Sequence, residues 1–310
     1  MEPWQLVKGK ILKIAFATLV ALVALMGLVV APTQAITGNF TEDFEHTYVG
    51  LVAFYVADDG DVTDPDSDPD FSHRCSGALL SSTIFLTAGH CTEGATSARI
   101  WFHQDVGGGF DPVTGAPDPS TGYPDYCIAG DPLCVEADEL YNRGFDDFAG
   151  FPDTNDVGII VLDEGAITFD TRYAVLAEPG SLDYLATNDR RGAGPAVTYT
   201  GYGVSDIRPS VLSTRERLMA SGYIINVRNQ NTAGFNLQLS TNVGRGGGGT
   251  CFGDSGGPIL WGDTDIVVAV NSFVINGNCG GLGFGYRVDT EEVYQWIFEV
   301  TGEMLPTASL

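Results

Sequence analysis

The residues whose types and spacing carry the most chemistry are Gly249-Thr250-Cys251-Phe252-Gly253-Asp254-Ser255-Gly256-Gly257-Pro258. A serine set between glycines has no bulky neighbour to shield its hydroxyl from a bound carbonyl. Small neighbours also let backbone N–H groups turn toward one point, where an oxyanion can form. A serine hydroxyl is a weak nucleophile by itself. It needs a base to take its proton and a third group to hold that base in one tautomer. Standing alone, the stretch reads equally well as a glycine-rich turn.

The histidines narrow the choice. There are four, His46, His73, His90 and His103, and all precede Ser255. The spacing Gly253-x-Ser255-x-Gly257 also fits the nucleophile elbow of α/β-hydrolases, but there the histidine follows the serine, so that reading fails. His90 ends an apolar run in Leu86-Thr87-Ala88-Gly89-His90-Cys91. Asp156 leads into another in Thr154-Asn155-Asp156-Val157-Gly158-Ile159-Ile160-Val161-Leu162. Singly, each is an ordinary strand-end or turn residue. Together with Ser255 they stand in the order His, Asp, Ser.

The elements that must position these residues are mostly strands. From Ile36 onward, short apolar runs alternate with Gly, Asp and Pro clusters: Tyr48–Ala57, Ser76–Thr87, Ala98–His103, Val157–Leu162, Ala196–Tyr202, Arg217–Val227, Phe235–Thr241 and Ile259–Val274. Many short strands with almost no helical periodicity indicate an all-β sandwich or barrel. One helix is expected near the end, capped by Asp289 with Glu292 three residues on, and with Val293, Trp296, Ile297 and Val300 on one face. Two loops are long. Asp58–Asp70 places Asp64, Asp66, Asp68 and Asp70 on alternate positions. Calcium is the one cofactor it suggests, but it lacks the glycine and terminal glutamate of an EF-hand loop, and a solvated acidic loop is the stronger reading. Gln104–Thr154 is too long for a simple connection and reads as an excursion stapled by a local Cys127–Cys134 bridge.

The chain of 310 residues holds 15 basic and 40 acidic residues. Its lysines are Lys8, Lys10 and Lys13 alone, and they precede an apolar run of about 18 residues, Ile14 to Ala31. Basic, apolar and small-residue regions in that order describe a secretory signal peptide over residues 1–35, cut after Ala35 with Thr33 and Ala35 as the small residues. The rival is an uncleaved membrane anchor. Residues 1–35 hold every lysine and one acid, Glu2, so without them 12 arginines face 39 acids, a net charge of −27. Such a surface repels nucleic acid and anionic membranes. Secretion to the extracellular space implies an oxidising compartment, and an even number of cysteines, six, agrees.

Over Thr87-Ala88-Gly89-His90-Cys91, Asn155-Asp156-Val157-Gly158-Ile159 and Gly253-Asp254-Ser255-Gly256-Gly257-Pro258, the chain resembles chymotrypsin-like serine endopeptidases. The likeness spans about residues 36–301. It implies two packed six-stranded antiparallel Greek-key barrels, the first at about 36–170 and the second at about 190–288, followed by a C-terminal helix at about 290–304. It implies catalysis by His90, Asp156 and Ser255, with the N–H groups of Gly253 and Ser255 as oxyanion hole. It implies bridges Cys75–Cys91 and Cys251–Cys279, which set aside a zinc site built from His73, Cys75, His90 and Cys91. It implies a monomer acting on polypeptides without a cofactor.

Two finer expectations rest on the same likeness. Family members free an Ile-led N-terminus whose amine pairs with the Asp before the Ser, so Ile36, exposed by the cut after Ala35, would pair with Asp254. Thr37 and Asn39 depart from the usual start. The specificity pocket would be built from Gly249 and Thr250 at its base, and from Asn271, Ser272, Phe273 and Gly283 on its walls. No charge is present there to hold Lys or Arg, so the residue before the cut is expected to be apolar or small.

Overall fold

The computed structural model describes residues 36–56, 70–107, 127, 129–187, 194–207 and 211–310, the side chains of Asp70 and Arg245 excepted. Residues 1–35, where a signal peptide is expected, the acidic loop 58–69 with its suggested calcium, and residues 108–126 and 128 of the long loop lie outside them.

Two short strands come first, β1 (Thr37–Gly38) and β2 (Thr41–Glu42). A first sheet is then built from β3 (Val49–Val56), β4 (Asp70–Leu79), β5 (Ile84–Thr87), β6 (Ser97–Trp101), β7 (Cys134–Ala137), β8 (Glu139–Asn142) and β9 (Gly158–Val161). Its order is β7-β6-β3-β4-β5-β9-β8, and every pairing is antiparallel. Val49 to Tyr55 of β3 are all buried, because this strand is covered on both faces and its sequence is a continuous apolar run.

The second half adds β10 (Val175–Ala177), β11 (Ala196–Gly201), β12 (Leu218–Asn226), β13 (Asn236–Thr241), β14 (Gly248–Gly249), β15 (Pro258–Trp261), β16 (Ile266–Val274), β17 (Gly281–Arg287) and β18 (Thr307–Ala308). Six of these close on themselves in the order β15-β11-β12-β13-β17-β16, with β16 returning to β15. Along β12, buried Leu218, Ala220, Gly222 and Ile224 alternate with residues less covered, the period-two pattern of a barrel wall. The fold is therefore all-β, two barrel-like sheets and a C-terminal helix.

Several boundaries differ from those expected. The first sheet has seven strands, not six, because Cys134–Ala137 and Glu139–Asn142 of the supposed excursion pair with β6 and β9. Residues 37–42 do not belong to the first barrel. β1 pairs with β14 and β2 with β12, which attaches the segment to the second. The second sheet is not purely antiparallel, since β10 runs parallel to β16 and β18. The expected single strands Ser76–Thr87 and Ile259–Val274 are each two strands joined by a turn.

Short helices α1 (Gly89–Thr92) and α2 (Asp183–Thr187) precede the C-terminal helix α3 (Glu291–Thr301). Thr290, not Asp289, caps α3 by accepting from the Val293 N–H. Asp289 is turned elsewhere, into an ion pair with Arg287 and a hydrogen bond from the Leu182 N–H. Val293 and Ile297 bury the apolar stripe of α3 in the larger core, and Trp296 packs beside them. That core also joins Val52, Leu79 and Phe85 of the first barrel to Tyr202, Leu260 and Val270 of the second, so the two halves share one apolar interior.

Candidate active site

His90 lies in α1, one turn past the end of β5. Asp156 lies two residues before β9, the antiparallel neighbour of β5, and so the sheet itself sets the two side by side. Gly158 permits this approach: a Cβ there would come within 2.5 Å of the Ala88 carbonyl oxygen. Asn155 sits at φ 50°, and Arg143 Nη1 donates to its Oδ1 while also reaching the Tyr286 hydroxyl at 3.1 Å. This turn presents Asp156 inward.

The Asp156 carboxylate is fully buried. His90 Nδ1 lies 2.9 Å from its Oδ2 and 3.1 Å from its Oδ1, and the His90 backbone N–H donates to Oδ1 at 2.8 Å. Ser272 Oγ donates to Oδ2 as well. Ser272 owes this direction to a bulge in β16, where Asn271 faces Gly285 and Phe273 faces Phe284, leaving Ser272 as the extra residue. A carboxylate opposite Nδ1 holds the proton on that nitrogen and leaves Nε2 as an acceptor.

Ser255 is brought to the same place by the glycines around it. Gly256 has φ +76°, and a Cβ on it would fall 2.1 Å from Thr87 Oγ1 on the strand that leads to His90. The Ser76 N–H donates to the Ser255 carbonyl at 2.8 Å, and the Gly256 N–H to the Asn271 carbonyl at 2.8 Å. Ser255 and His90 line one cavity of 440 Å³, with Phe145, Phe148, Phe252, Phe273 and Val274 as its apolar surfaces. Among the described residues no backbone carbonyl accepts from the N–H of Gly253 or of Ser255. A serine hydroxyl on the same cavity as an imidazole oriented by a buried carboxylate, with two available N–H donors, has the groups that acyl transfer requires.

The expected pocket residues divide. Thr250, Asn271, Ser272 and Phe273 line the cavity; Gly249 and Gly283 do not. Gly249 is backed by Thr241, whose Cβ would lie 2.2 Å from an added methyl, and Gly283 looks toward Thr250 Oγ1 and Thr241. Phe273 stacks flat on Phe284 at 4.5 Å and receives the edges of Phe148 and Phe151 at 5.5 and 5.9 Å. Phe145 and Phe148 come from the long loop and were not among the expected pocket residues. A run of Phe145, Phe148 and Phe151 at three-residue intervals was the available signal.

All three disulfides, Cys75–Cys91, Cys127–Cys134 and Cys251–Cys279, are formed. Cys75, His90 and Cys91 place one donor atom each within 4.8 Å of the others, but the two sulfurs are bonded to each other and offer no thiolate. Ile36 is buried in the second barrel's core, and in this chain its nitrogen is a peptide nitrogen. Asp254, also fully buried, accepts from the N–H groups of Gly203 at 2.7 Å and Cys251 at 2.8 Å. Burial pushes its carboxyl up to about 7, against the pull of those two N–H groups and of Arg74.

A family model, Trypsin, matches residues 144–297, which include Asp156 and Ser255. Among solved structures the chain is similar to HL collagenase, at 20% identity and a TM-score of 0.58 over 86% of this chain and 99% of that one. It is also similar to the scabies mite inactivated protease paralogue S-I1, at 18% identity and a TM-score of 0.53 over 86% and 99%. Human heparin binding protein matches at 16% identity and 0.53 over 88% and 100%. At these identities the likeness is one of fold. With the family model, the two barrels and the order His, Asp, Ser agreeing, the chain belongs to the chymotrypsin-like, trypsin-fold family of serine proteases.

Proposed function

We propose that the protein is a secreted serine endopeptidase that hydrolyses peptide bonds through an acyl-enzyme. The observation that supports this most is the buried Asp156 bonded to His90 Nδ1, with Ser255 on the same cavity. Ser255 Oγ attacks the scissile carbonyl carbon while His90 Nε2 takes its proton. Asp156, through Nδ1, holds the ring in that tautomer and stabilises the imidazolium. The negative charge on the carbonyl oxygen is met by the N–H groups of Gly253 and Ser255, each such donor lowering the barrier by about 3–4 kcal/mol. His90 then gives the proton to the leaving amine, and water, activated by the same imidazole, releases the acyl group. The enzyme works as a monomer on polypeptides and without a cofactor, and the part of the cavity formed by Thr250, Asn271, Ser272 and Phe273, with Glu93 and Asp147 exposed on its lining, takes an apolar or small side chain.

A fluorophosphonate probe tests this reading, because it reacts only with an activated serine. The wild-type protein is expected to be labelled at Ser255, and Ser255→Ala to be folded, secreted and unlabelled, with no peptidase activity. An unlabelled wild type would instead mark a protease fold used for binding, as the name of the heparin binding protein describes for that protein.

A further inference from the structure

The last residue of β8 and the one after it each hold the residue that precedes a member of the triad. Asn142 Nδ2 donates to the Gly89 carbonyl at 2.9 Å, next to His90, and Asn142 Oδ1 accepts from the Gly144 and Phe145 N–H groups at 2.8 Å each. The Arg143 backbone N–H donates to the Val157 carbonyl at 3.0 Å and its Nη1 to Asn155 Oδ1, so Arg143 holds the chain on both sides of Asp156. The same Nη1 donates to the Tyr286 hydroxyl at 3.1 Å, and that hydroxyl donates to Asp153 Oδ1 at 2.6 Å. Burial, and then the bond to Asp153, push the Tyr286 phenol above its ordinary range. It therefore keeps its proton for Asp153 and offers Arg143 a lone pair. One chain of bonds thus runs from Asp153 through Tyr286 of β17, in the second barrel, to Arg143 and Asn155.

Asn155 has φ +50°, and the Val157 N–H closes a tight turn onto the Asn155 carbonyl at 2.8 Å. Asparagine enters this left-handed region more readily than most residues, but its own backbone does not confine it there. Asp156 is the next residue, and its carboxylate must meet partners set by other elements: His90 Nδ1 at 2.9 Å, the His90 N–H at 2.8 Å and Ser272 Oγ. A rotation at Asn155 swings that carboxylate away from the imidazole. We propose that Arg143 is a positioning residue for the His90–Asp156 pair, locking the Asn155 turn and braced in its place by Tyr286 and Asp153. The inference rests on the peptidase reading and deepens it. Arg143 does not line the cavity of Ser255, so its effect on the reaction passes through Asn155 and Asp156.

The test compares wild type with Arg143→Met, Arg143→Lys, Asn155→Gly, Tyr286→Phe and the double variant Arg143→Met/Asn155→Gly, each with disulfides mapped and unfolding midpoint measured. Asn155→Gly removes the acceptor while suiting a φ of +50°, so it keeps the test open should Arg143→Met not fold. On a peptide with a small or apolar residue before the cut, Arg143→Met and Asn155→Gly are each expected to lose roughly tenfold or more in kcat, with KM little changed. The double variant is expected to lose no more than the worse single one, because both remove the same bond. Arg143→Lys, which keeps the charge but not the forked reach, is expected to fall between, and Tyr286→Phe to lose only severalfold. The deshielded proton on His90 Nδ1, read by proton NMR without substrate, is expected to move upfield or broaden wherever kcat falls. Full kcat and an unshifted Nδ1 proton in Arg143→Met or Asn155→Gly, beside a lowered unfolding midpoint, would overturn the proposal and leave the bond a support of the fold alone. Losses that multiply in the double variant would overturn it as well. If wild type is not labelled by the fluorophosphonate, the peptidase reading itself fails and takes this inference with it.

Discussion

Asp43 and His46 make a second buried pair with nearly the contacts of Asp156 and His90, and the comparison shows what a site requires. His46 Nδ1 lies 2.9 Å from Asp43 Oδ2, and Thr200 Oγ1 donates to the same oxygen at 2.6 Å. Among the described residues no serine hydroxyl hydrogen-bonds to His46, and the pair ties the segment before β3 to Thr200 at the end of β11. Burial pushes the Asp43 carboxyl upward, but the bond and charge of His46 and the Thr200 hydroxyl outweigh it and hold the group at about 2. A carboxyl depressed in the folded state contributes stability above its ordinary value near 3.8, and that contribution is lost as pH falls from about 4 toward 2. The shift corresponds to about 2 kcal/mol. Denaturant unfolding at pH 5 and pH 2.5 is therefore expected to show a steeper acid loss in wild type than in Asp43→Asn. Equal slopes would place the acid sensitivity elsewhere. The triad itself was legible because Ser, His and Asp each sit in a short motif of fixed order. Ser272 was legible only as a pocket wall, since its bond to Asp156 depends on a one-residue slip between β16 and β17 that no local pattern encodes.

At the scale of elements, strands with strong apolar runs were readable, and those with weak ones were not. β3, β6 and β9 fall within two residues of expectation because runs of β-branched and aromatic residues mark them, Val52 and Phe54 in β3, Ile100 and Trp101 in β6, Ile159 and Ile160 in β9. β7 and β8 were lost inside the long loop: each is four residues long and mixes apolar residues with Glu136, Glu139 and Asn142, and their pairing partners are up to about forty residues away in sequence. Tertiary pairing overrode local propensity there. The glycine loop bearing Ser255 is another element whose shape is set from outside. Gly256 combines a positive φ with a site that has no room for a Cβ, which would fall 2.1 Å from Thr87 Oγ1 and 2.5 Å from the Ser76 carbonyl oxygen, so only a glycine lets the second barrel's loop lie this close to the first barrel's strand. Gly256→Ala is expected to cost about 3 kcal/mol or more and to abolish probe labelling. Gly94→Ala, at φ +72° but with open space around it, is expected to cost about 1 kcal/mol and leave labelling intact. Similar midpoints for the two variants would show that the Thr87 contact is slack.

For the whole molecule, the proposed peptidase function makes charge and pocket chemistry pull on substrate in different ways. The chain carries a net −25, and −27 without its first 35 residues, so its long-range field draws cationic polypeptides and repels anionic ones. The cavity beside Ser255 has Thr250, Asn271 and Ser272 as its polar walls, and its carboxylates, Glu93 and Asp147, are exposed. A field that decays over a Debye length of roughly 10 Å at 0.1 M salt governs encounter. The pocket governs which side chain is held in the transition state. These two effects separate experimentally. Cleavage of a peptide library is expected to favour apolar or small residues before the cut at every ionic strength. The kcat/KM of a peptide bearing Arg several residues from the cut is expected to fall severalfold between about 10 and 150 mM salt, while a neutral peptide of the same cut sequence changes little. Cleavage mainly after Arg or Lys would mean that Glu93 or Asp147 reaches into the pocket when substrate is bound. A salt-independent rate for the cationic peptide would mean that the acidic surface is too far from the cleft to steer it.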